Sequence, residues 1–443
     1  MLDLKNMKSS LKTYAFLNMW TIFLTFFLGY LLFNSGIIAP DYYVCSRIVE
    51  QNFTFLNESL SFNFPYSCDE NEYFLGFKDF KFIIFNDHSY QQRPIYIFFV
   101  YFLNEILTPI FNLLGMDEKL GIYFAIVSVH SIVLNISLYL ILKIISINKI
   151  SHFDLLFITI LNILQPMAKW GIFGPSVQML SLLHIVLPIY LSKKNDTLRL
   201  NSSLLFGVLF MYNRASFVSY IIYLLFMYLK TKKINFFENV VNTFLFFTPF
   251  IIYRLFFALN NLTIFDTNTE TYQQFSWIVD YFTGGNRKFG EYYCHRIPGF
   301  IKCYFEGTLN LLSYLNIPLL ISLLCLIYLY KKNKNLFYLI SIATFIVYSF
   351  WSLIGWYPLR FIYYSLGNAI NVLIIIGFFK LNNNNFGKIL YSVPLIIYLL
   401  FLTMWNNPNP NEFVELDIVI LSGLSLIIYL VYNNKFLMKQ LRL

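Results

Sequence analysis

Apolar runs long enough to enter a bilayer recur along almost the whole chain, each bounded by a short polar or basic segment. A span needs about 20 mostly apolar residues. Such runs fall at 14 to 38, 119 to 142, 154 to 172, 176 to 192, 238 to 258, 309 to 330, 336 to 354, 360 to 379, 389 to 405 and 416 to 433. The stretch 202 to 229 is too long for one span and is interrupted at Asn213-Arg214, which predicts two short helices meeting at Arg214. Residues 94 to 115 are apolar but carry Glu105 and Pro109, which predicts an interfacial or re-entrant helix. The pattern predicts an all-α polytopic membrane protein, a single transmembrane domain over 1 to 443 with about 12 transmembrane helices.

Composition agrees: 58% of the 443 residues are apolar and 12% charged, against about 25% charged in a soluble domain. The net charge of +9 is not spread as a nucleic-acid footprint. Its basic clusters (Lys5/Lys8/Lys12, Lys143/Lys149, Lys193/Lys194/Arg199, Lys230/Lys232/Lys233, Lys331/Lys332/Lys334, Lys380/Lys388 and Lys435/Lys439/Arg442) each abut the end of an apolar run. The positive-inside rule assigns them to the cytoplasm. That leaves net +15 inside and −6 outside, with the N-terminus cytoplasmic. The first run follows a basic flank as a signal peptide does, but it is long and lacks a small-residue cleavage site, so it reads as a retained helix.

Two polar stretches then fall on the outer side: 39 to 115, which includes the interfacial helix, and 259 to 308. Cys45 and Cys68 lie in the first, Cys294 and Cys303 in the second, and Cys325 alone lies in a span. Even pairs on an oxidising side predict one disulfide per loop.

Ionisable groups near membrane depth are costly unless they face a wet cavity or a partner, so they are the first candidates for chemistry. Here they gather toward the outer ends: Asp41 after the first helix; Asp87, His88 and Arg93 ahead of Pro94; Lys169 at a span end; Arg214 at the broken pair; Arg254 late in its helix; Arg360 at the start of another. Carboxylates and cations around a wet cavity in the outer leaflet suit a phosphate-bearing lipid. The planar guanidinium grips phosphate in two bonds, and a carboxylate can take the proton of an acceptor hydroxyl. Snorkelling to headgroups explains Arg93 and Arg360 as well as function does, and it is the favoured reading of Lys169 and Arg254. His130 and His184 lie mid-span with no Cys, Asp or Glu at ligand spacing, which argues against a helical metal site.

The order of features resembles the GT-C class of membrane glycosyltransferases. That class begins with a cytoplasmic N-terminus, one helix and a long outer loop holding an acidic residue; here the loop is 39 to 94 and the candidate acids are Asp41 and Asp87. Arg93-Pro94, the helix behind it and the turn Gly115 to Gly121 are similar to that class's outer-face helix and its return, and Tyr212 to Ser216 is similar to its Arg-broken helix pair. Two features depart from it: no Pro follows Arg214, and Asp41 is followed by Tyr42 where an Asp-Glu doublet is common.

The resemblance implies sugar transfer from a polyprenyl-phosphate-linked donor to a glycan, lipid or protein acceptor at the outer face. It implies Asp87 or Asp41 as the catalytic base and Arg93, Arg214, Arg360, His88 and Lys169 on the donor phosphate or substrate. Some members of that class use a divalent metal ion and others none. A bacterial inner membrane is expected over an ER membrane. Two alternatives remain. A polysaccharide polymerase or ligase acting on lipid-linked glycans would centre on residues 284 to 302 with His295 and Arg296. A lipid or solute transporter would show repeated halves with matching broken helices.

Overall fold

A computed structural model of the chain describes residues 17–28, 46–55, 58–67, 70–85, 89–147, 150–165, 172, 177–194, 199–232, 236–262, 305, 308–309, 312, 315–354, 363–382, 384–401 and 416–441. They are overwhelmingly helical. The chain divides into two compact units interleaved in sequence: Met1–Phe80, Ile97–Met179 and Asn382–Asn433 in the first; Lys81–Tyr96, Leu180–Leu381 and Asn434–Leu443 in the second.

The first unit is built on a helix α5, Glu118–Ile144, which is apolar around its whole circumference and buried along most of its length. A helix hydrophobic on every side belongs in the interior of a bundle. Its start is cut sharply from the helix before it, α4 (Pro94–Leu113). Gly115 adopts φ 57°, a left-handed conformation open to glycine, and the Met116 amide returns to the Phe111 carbonyl at 2.9 Å. Asp117 then caps α5 by accepting the Lys119 amide at 2.8 Å. Glycine closing one helix and aspartate opening the next is the expected chemistry of such a corner.

Around α5 stand α1 (Leu17–Leu28), α2 (Glu70–Lys78), α6 (His152–Ile163), α14 (Asn385–Phe401) and the first part of α15 (Leu416–Leu441). Amides and hydroxyls bind α1 to α5: Asn135 donates to Asn18 Oδ1 at 2.6 Å and to Thr21 at 3.1 Å. At the opposite end of α6 from its buried tip, Ser151 and Asp154 form a reciprocal capping box, and the Asp154 carboxylate also meets Lys388 Nζ of α14 at 2.6 Å. Tyr391 packs edge-on to Tyr429 between α14 and α15, and Asn433 donates to Asn382 at 3.1 Å.

Between α1 and α2 lies an antiparallel hairpin, β1 (Ser46–Phe55) and β2 (Glu58–Ser67), with Ser46 opposite Ser67 and Phe55 opposite Glu58. It amends the all-α expectation: the first outer segment is not merely loop. Its cause is visible in β2, Glu-Ser-Leu-Ser-Phe-Asn-Phe-Pro-Tyr-Ser, where polar and apolar residues alternate with a period of two. Pro65 fits because both strands of a two-stranded sheet are edges.

The second unit holds α3 (Lys81–Phe85), a single 3-10 turn Ser89–Gln92, α7 (Ser181–Lys193), α8 (Arg199–Tyr212), α9 (Ser216–Thr231), α10 (Phe236–Leu259), α11 (Asn316–Lys332), α12 (Lys334–Ile354) and α13 (Asn368–Lys380). Its closest helix pair is α8 with α10. A Cβ added at Gly207 would stand 2.2 Å from the Phe246 carbonyl oxygen, so the two backbones nearly touch there. Aromatic rings fill the seam, with Phe210 against Phe246 and Phe250, and Tyr220 of α9 stacked on Phe246 at 4.5 Å. Asn368 ties α13 to α7 by donating to Ser181 at 2.8 Å.

Among the described residues, five helices are long and apolar enough to cross a membrane, and seven shorter apolar helices accompany them. The outward faces carry Phe102, Ile106, Ile110 and Leu113 on α4 and Phe244, Ile252, Leu255 and Leu259 on α10, all exposed. Apolar surface on that scale is the face of a membrane protein toward lipid. Helix α4 runs from Pro94 to Leu113 with Pro109 inside it, and by length and composition it is itself among the five.

Candidate functional site

The interruption between α8 and α9 is made by one side chain. Asn213 turns the chain by accepting the Ala215 amide on Oδ1 at 3.0 Å, and its carbonyl accepts the Ser216 amide at 2.9 Å. This is an Asx-turn, the local bond by which asparagine competes with helix. It does the work that a proline after Arg214 would do. Arg214 sits in the resulting link, half-buried, with Asn213 and Ala215 on either side fully inside.

A third helix holds the link from behind. Ser216 Oγ donates to the Leu209 carbonyl at 3.1 Å, reaching back across the break, and the same oxygen lies 3.2 Å from His184 Nε2 of α7. One turn on, Ser219 Oγ donates to the His184 carbonyl at 3.2 Å. All three side chains are buried.

The segment carrying Arg93 comes to the same place. Tyr96, one turn past Arg93, is fully buried and packs edge-on against Tyr212, two residues before Arg214, with ring centroids 5.2 Å apart. From the other side, Tyr253 of α10 donates its hydroxyl to the Gln91 carbonyl at 2.9 Å. Arg254 follows directly, half-buried, with its guanidinium over the Phe250 ring at 5.1 Å. Three arginine-bearing segments, far apart in sequence, therefore meet at one end of the second unit. Arg93 and Arg214 are site candidates from sequence; Arg254 reads from sequence as a snorkelling residue.

Of the other candidates, Asp41, Asp87, His88, Lys169 and Arg360 lie outside the described residues, as do Cys45, Cys68, Cys294 and Cys303. Asp87 and His88 directly precede the Ser89–Gln92 turn that Tyr253 holds. Arg360 precedes the π-helical turn Tyr363–Gly367, where Tyr364 is buried against Trp351 and gives its carbonyl to Asn368 at 2.9 Å. Among the described residues, Cys325 is a free, buried thiol, and no group of His, Cys, Asp or Glu is placed to hold a metal ion.

What the arrangement can do follows from its charges. A guanidinium can grip a phosphate in paired charge-assisted bonds, and the Tyr96–Tyr212 and Tyr253–Gln91 contacts bring three arginine-bearing segments together. Comparison with protein-family models, with known proteins and with solved structures finds no match to this chain.

Proposed function

We propose that the chain is a polytopic membrane glycosyltransferase of GT-C-like layout, moving a sugar from a polyprenyl-phosphate donor to an acceptor hydroxyl at the outer face of a bacterial inner membrane. The observation that carries this is the convergence of the Arg93, Arg214 and Arg254 segments through the Tyr96–Tyr212 and Tyr253–Gln91 contacts. Arginine forks bind phosphate in paired charge-assisted bonds. In the transfer, the bond from the sugar's anomeric carbon to the phosphate oxygen breaks and a bond to the acceptor oxygen forms. Asp87 or Asp41 takes the acceptor's proton, and the arginines, with Arg360, Lys169 and His88, stabilise the phosphate as it leaves. Asp87 has the better claim, because it stands two residues before the Ser89–Gln92 turn anchored at the arginine-bearing end.

The proposed topology has a cytoplasmic N-terminus and about 12 spans, and packing within each unit agrees with the way the basic clusters sort residues to two sides. Within the first unit, Lys78 meets Glu118 at 2.8 Å, both assigned outside, while Asp154 meets Lys388, both assigned inside. Within the second unit, Thr308 meets Tyr348 at 2.9 Å on the outer side, and Lys230 donates to the Ser192 carbonyl at 3.3 Å on the inner. Each pair joins groups that the basic clusters had put at the same height.

Membranes containing Asp87→Asn or Asp41→Asn, supplied with a polyprenyl-phosphate sugar, test the chemistry. Loss of transfer in one variant identifies the base; full transfer in both refutes the proposal.

A further inference from the structure

His184 is the buried imidazole that the proposed chemistry does not use, and its bonds say what it does. Serine has one hydroxyl proton, and Ser216 gives it to the Leu209 carbonyl. With its proton placed there, the Ser216 oxygen accepts toward His184, and the pairing then uses the tautomer in which Nε2 carries the proton and donates at 3.2 Å. The Ser216–Leu209 bond spans seven residues and ties the end of α8 to the start of α9, and the imidazole holds its midpoint from a separate helix. Ser219, donating to the backbone carbonyl of residue 184, sets the height of α7 against α9. A leucine at 184 would fill a lipid-depth interior without the desolvation cost of an imidazole. What the imidazole adds is direction.

We infer that His184 is a positioning residue for Arg214: through Ser216 it fixes the break between α8 and α9 that presents the guanidinium to a phosphate-bearing lipid. The inference rests on the proposal that Arg214 meets such a lipid. Its action is transmitted entirely through Ser216, so any side chain placing an N–H donor where Nε2 stands should replace it. Glutamine does so; asparagine ends one bond short, and leucine offers no donor.

The test uses the full chain in phosphatidylcholine nanodiscs, with polyprenyl phosphate or uncharged polyprenol as probe and binding read by native mass spectrometry. Arg214→Ala and His184→Leu should each weaken polyprenyl phosphate on the order of tenfold, the worth of one charge-assisted hydrogen bond, and leave polyprenol unchanged. The double variant should be no weaker than either single one, because both act on the same contact. His184→Gln should restore binding and His184→Asn should not. Phosphatidylglycerol added as competitor separates a prenyl-phosphate site from one for any anionic headgroup: displacement at equal concentration would leave His184 positioning Arg214 for headgroups instead.

Additive losses, equal loss of polyprenol binding, or failure of glutamine to rescue would overturn the inference. If Arg214→Ala alone leaves polyprenyl phosphate binding unchanged, the functional proposal fails, and amide exchange over 213 to 218 decides the positioning separately. Faster exchange in His184→Leu, with the parent's rate kept in His184→Gln and in Ser216→Thr, upholds it; unchanged exchange in His184→Leu refutes it.

Discussion

Replacing Gly207 by alanine sets two effects of opposite sign against each other. In a helix interior alanine is favoured over glycine by about 0.8–1 kcal/mol. At this position, however, the new methyl would stand 2.2 Å from the Phe246 carbonyl oxygen, 3.0 Å from its carbon and 3.1 Å from Pro249 Cδ. Carbon and carbonyl oxygen settle at about 3.3 Å or more, so α8 and α10 must part by about 1 Å. The obstacle is backbone and a proline ring, which cannot swing aside as a long side chain would. A gap of that size forfeits a quarter to a half of each dispersion contact across the seam, here the rings of Phe210, Tyr220, Phe246 and Phe250. Overpacking of this kind costs about 1–3 kcal/mol and exceeds the propensity gain, so Gly207→Ala should destabilise by about 1 kcal/mol net. Gly423 of α15 supplies the control, because a Cβ there meets nothing within 4 Å; Gly423→Ala should be neutral or stabilising. Reversible unfolding of the detergent-solubilised chain by SDS, followed by circular dichroism, measures both. If the two substitutions shift stability in the same direction, the close approach of α8 and α10 is wrong.

Three further outcomes are expected. Asp154 accepts the Ser151 amide on one oxygen and Lys388 Nζ on the other, so Asp154→Asn can keep the cap but turns an NH2 donor toward Lys388, losing both charge and acceptor there, whereas Asp154→Ala loses the capping acceptor too; the alanine variant should be the less stable, with a cost approaching about 3 kcal/mol, and the same unfolding assay ranks them. The hairpin pairs Ser46 with Ser67, and Cys45 and Cys68 are the next residues outward in sequence, so a disulfide in the first outer segment is expected to join these two. Peptide mapping without reductant should recover them joined, and reduction should cost about 3 kcal/mol of stability; free thiols in protein from the native membrane would refute the pairing. A membrane-impermeant maleimide applied to whole cells should label an added Glu118→Cys but not Lys331→Cys, and the reverse result inverts the orientation.

Much of the helical layout is legible in the sequence because it depends on local composition. The run 119 to 142 becomes Glu118–Ile144, 238 to 258 becomes Phe236–Leu259, and 202 to 229 divides at Asn213-Arg214 into Arg199–Tyr212 and Ser216–Thr231. The last helix is longer than the expected span of 416 to 433: it continues to Leu441, through Lys435 and Lys439 of its basic cluster, with Lys331 of α11 bonded to the Leu441 carbonyl. The hairpin went unread although the alternation in 58 to 67 was there to see, because a search tuned to apolar runs of about 20 residues passes over a period of two. Gly207 could not have been found, since nothing in its neighbours distinguishes it from a glycine facing lipid; Gly423 lies in an equally apolar context and has open space.

The site divides along a different line. Basic clusters fix each residue's height relative to the membrane, and groups that meet must share a height; Arg93, Arg214 and Arg254 met that condition from sequence alone. Height leaves open which way round its helix a side chain points, and that is decided by contacts between distant segments. Tyr253 and Gln91 are 162 positions apart, His184 and Ser216 are 32. At that height Arg254 reads from sequence as snorkelling to headgroups. Its neighbour Tyr253, bonded to the Gln91 carbonyl, ties this part of α10 to the Arg93 segment and makes Arg254 a candidate, while Ile252 and Leu255 on either side of the pair remain exposed. His184 shows the same limit from the other direction. Depth alone made it an unexplained polar residue, and it gained a role only when Ser216, spending its proton on Leu209, left an oxygen to accept from the imidazole.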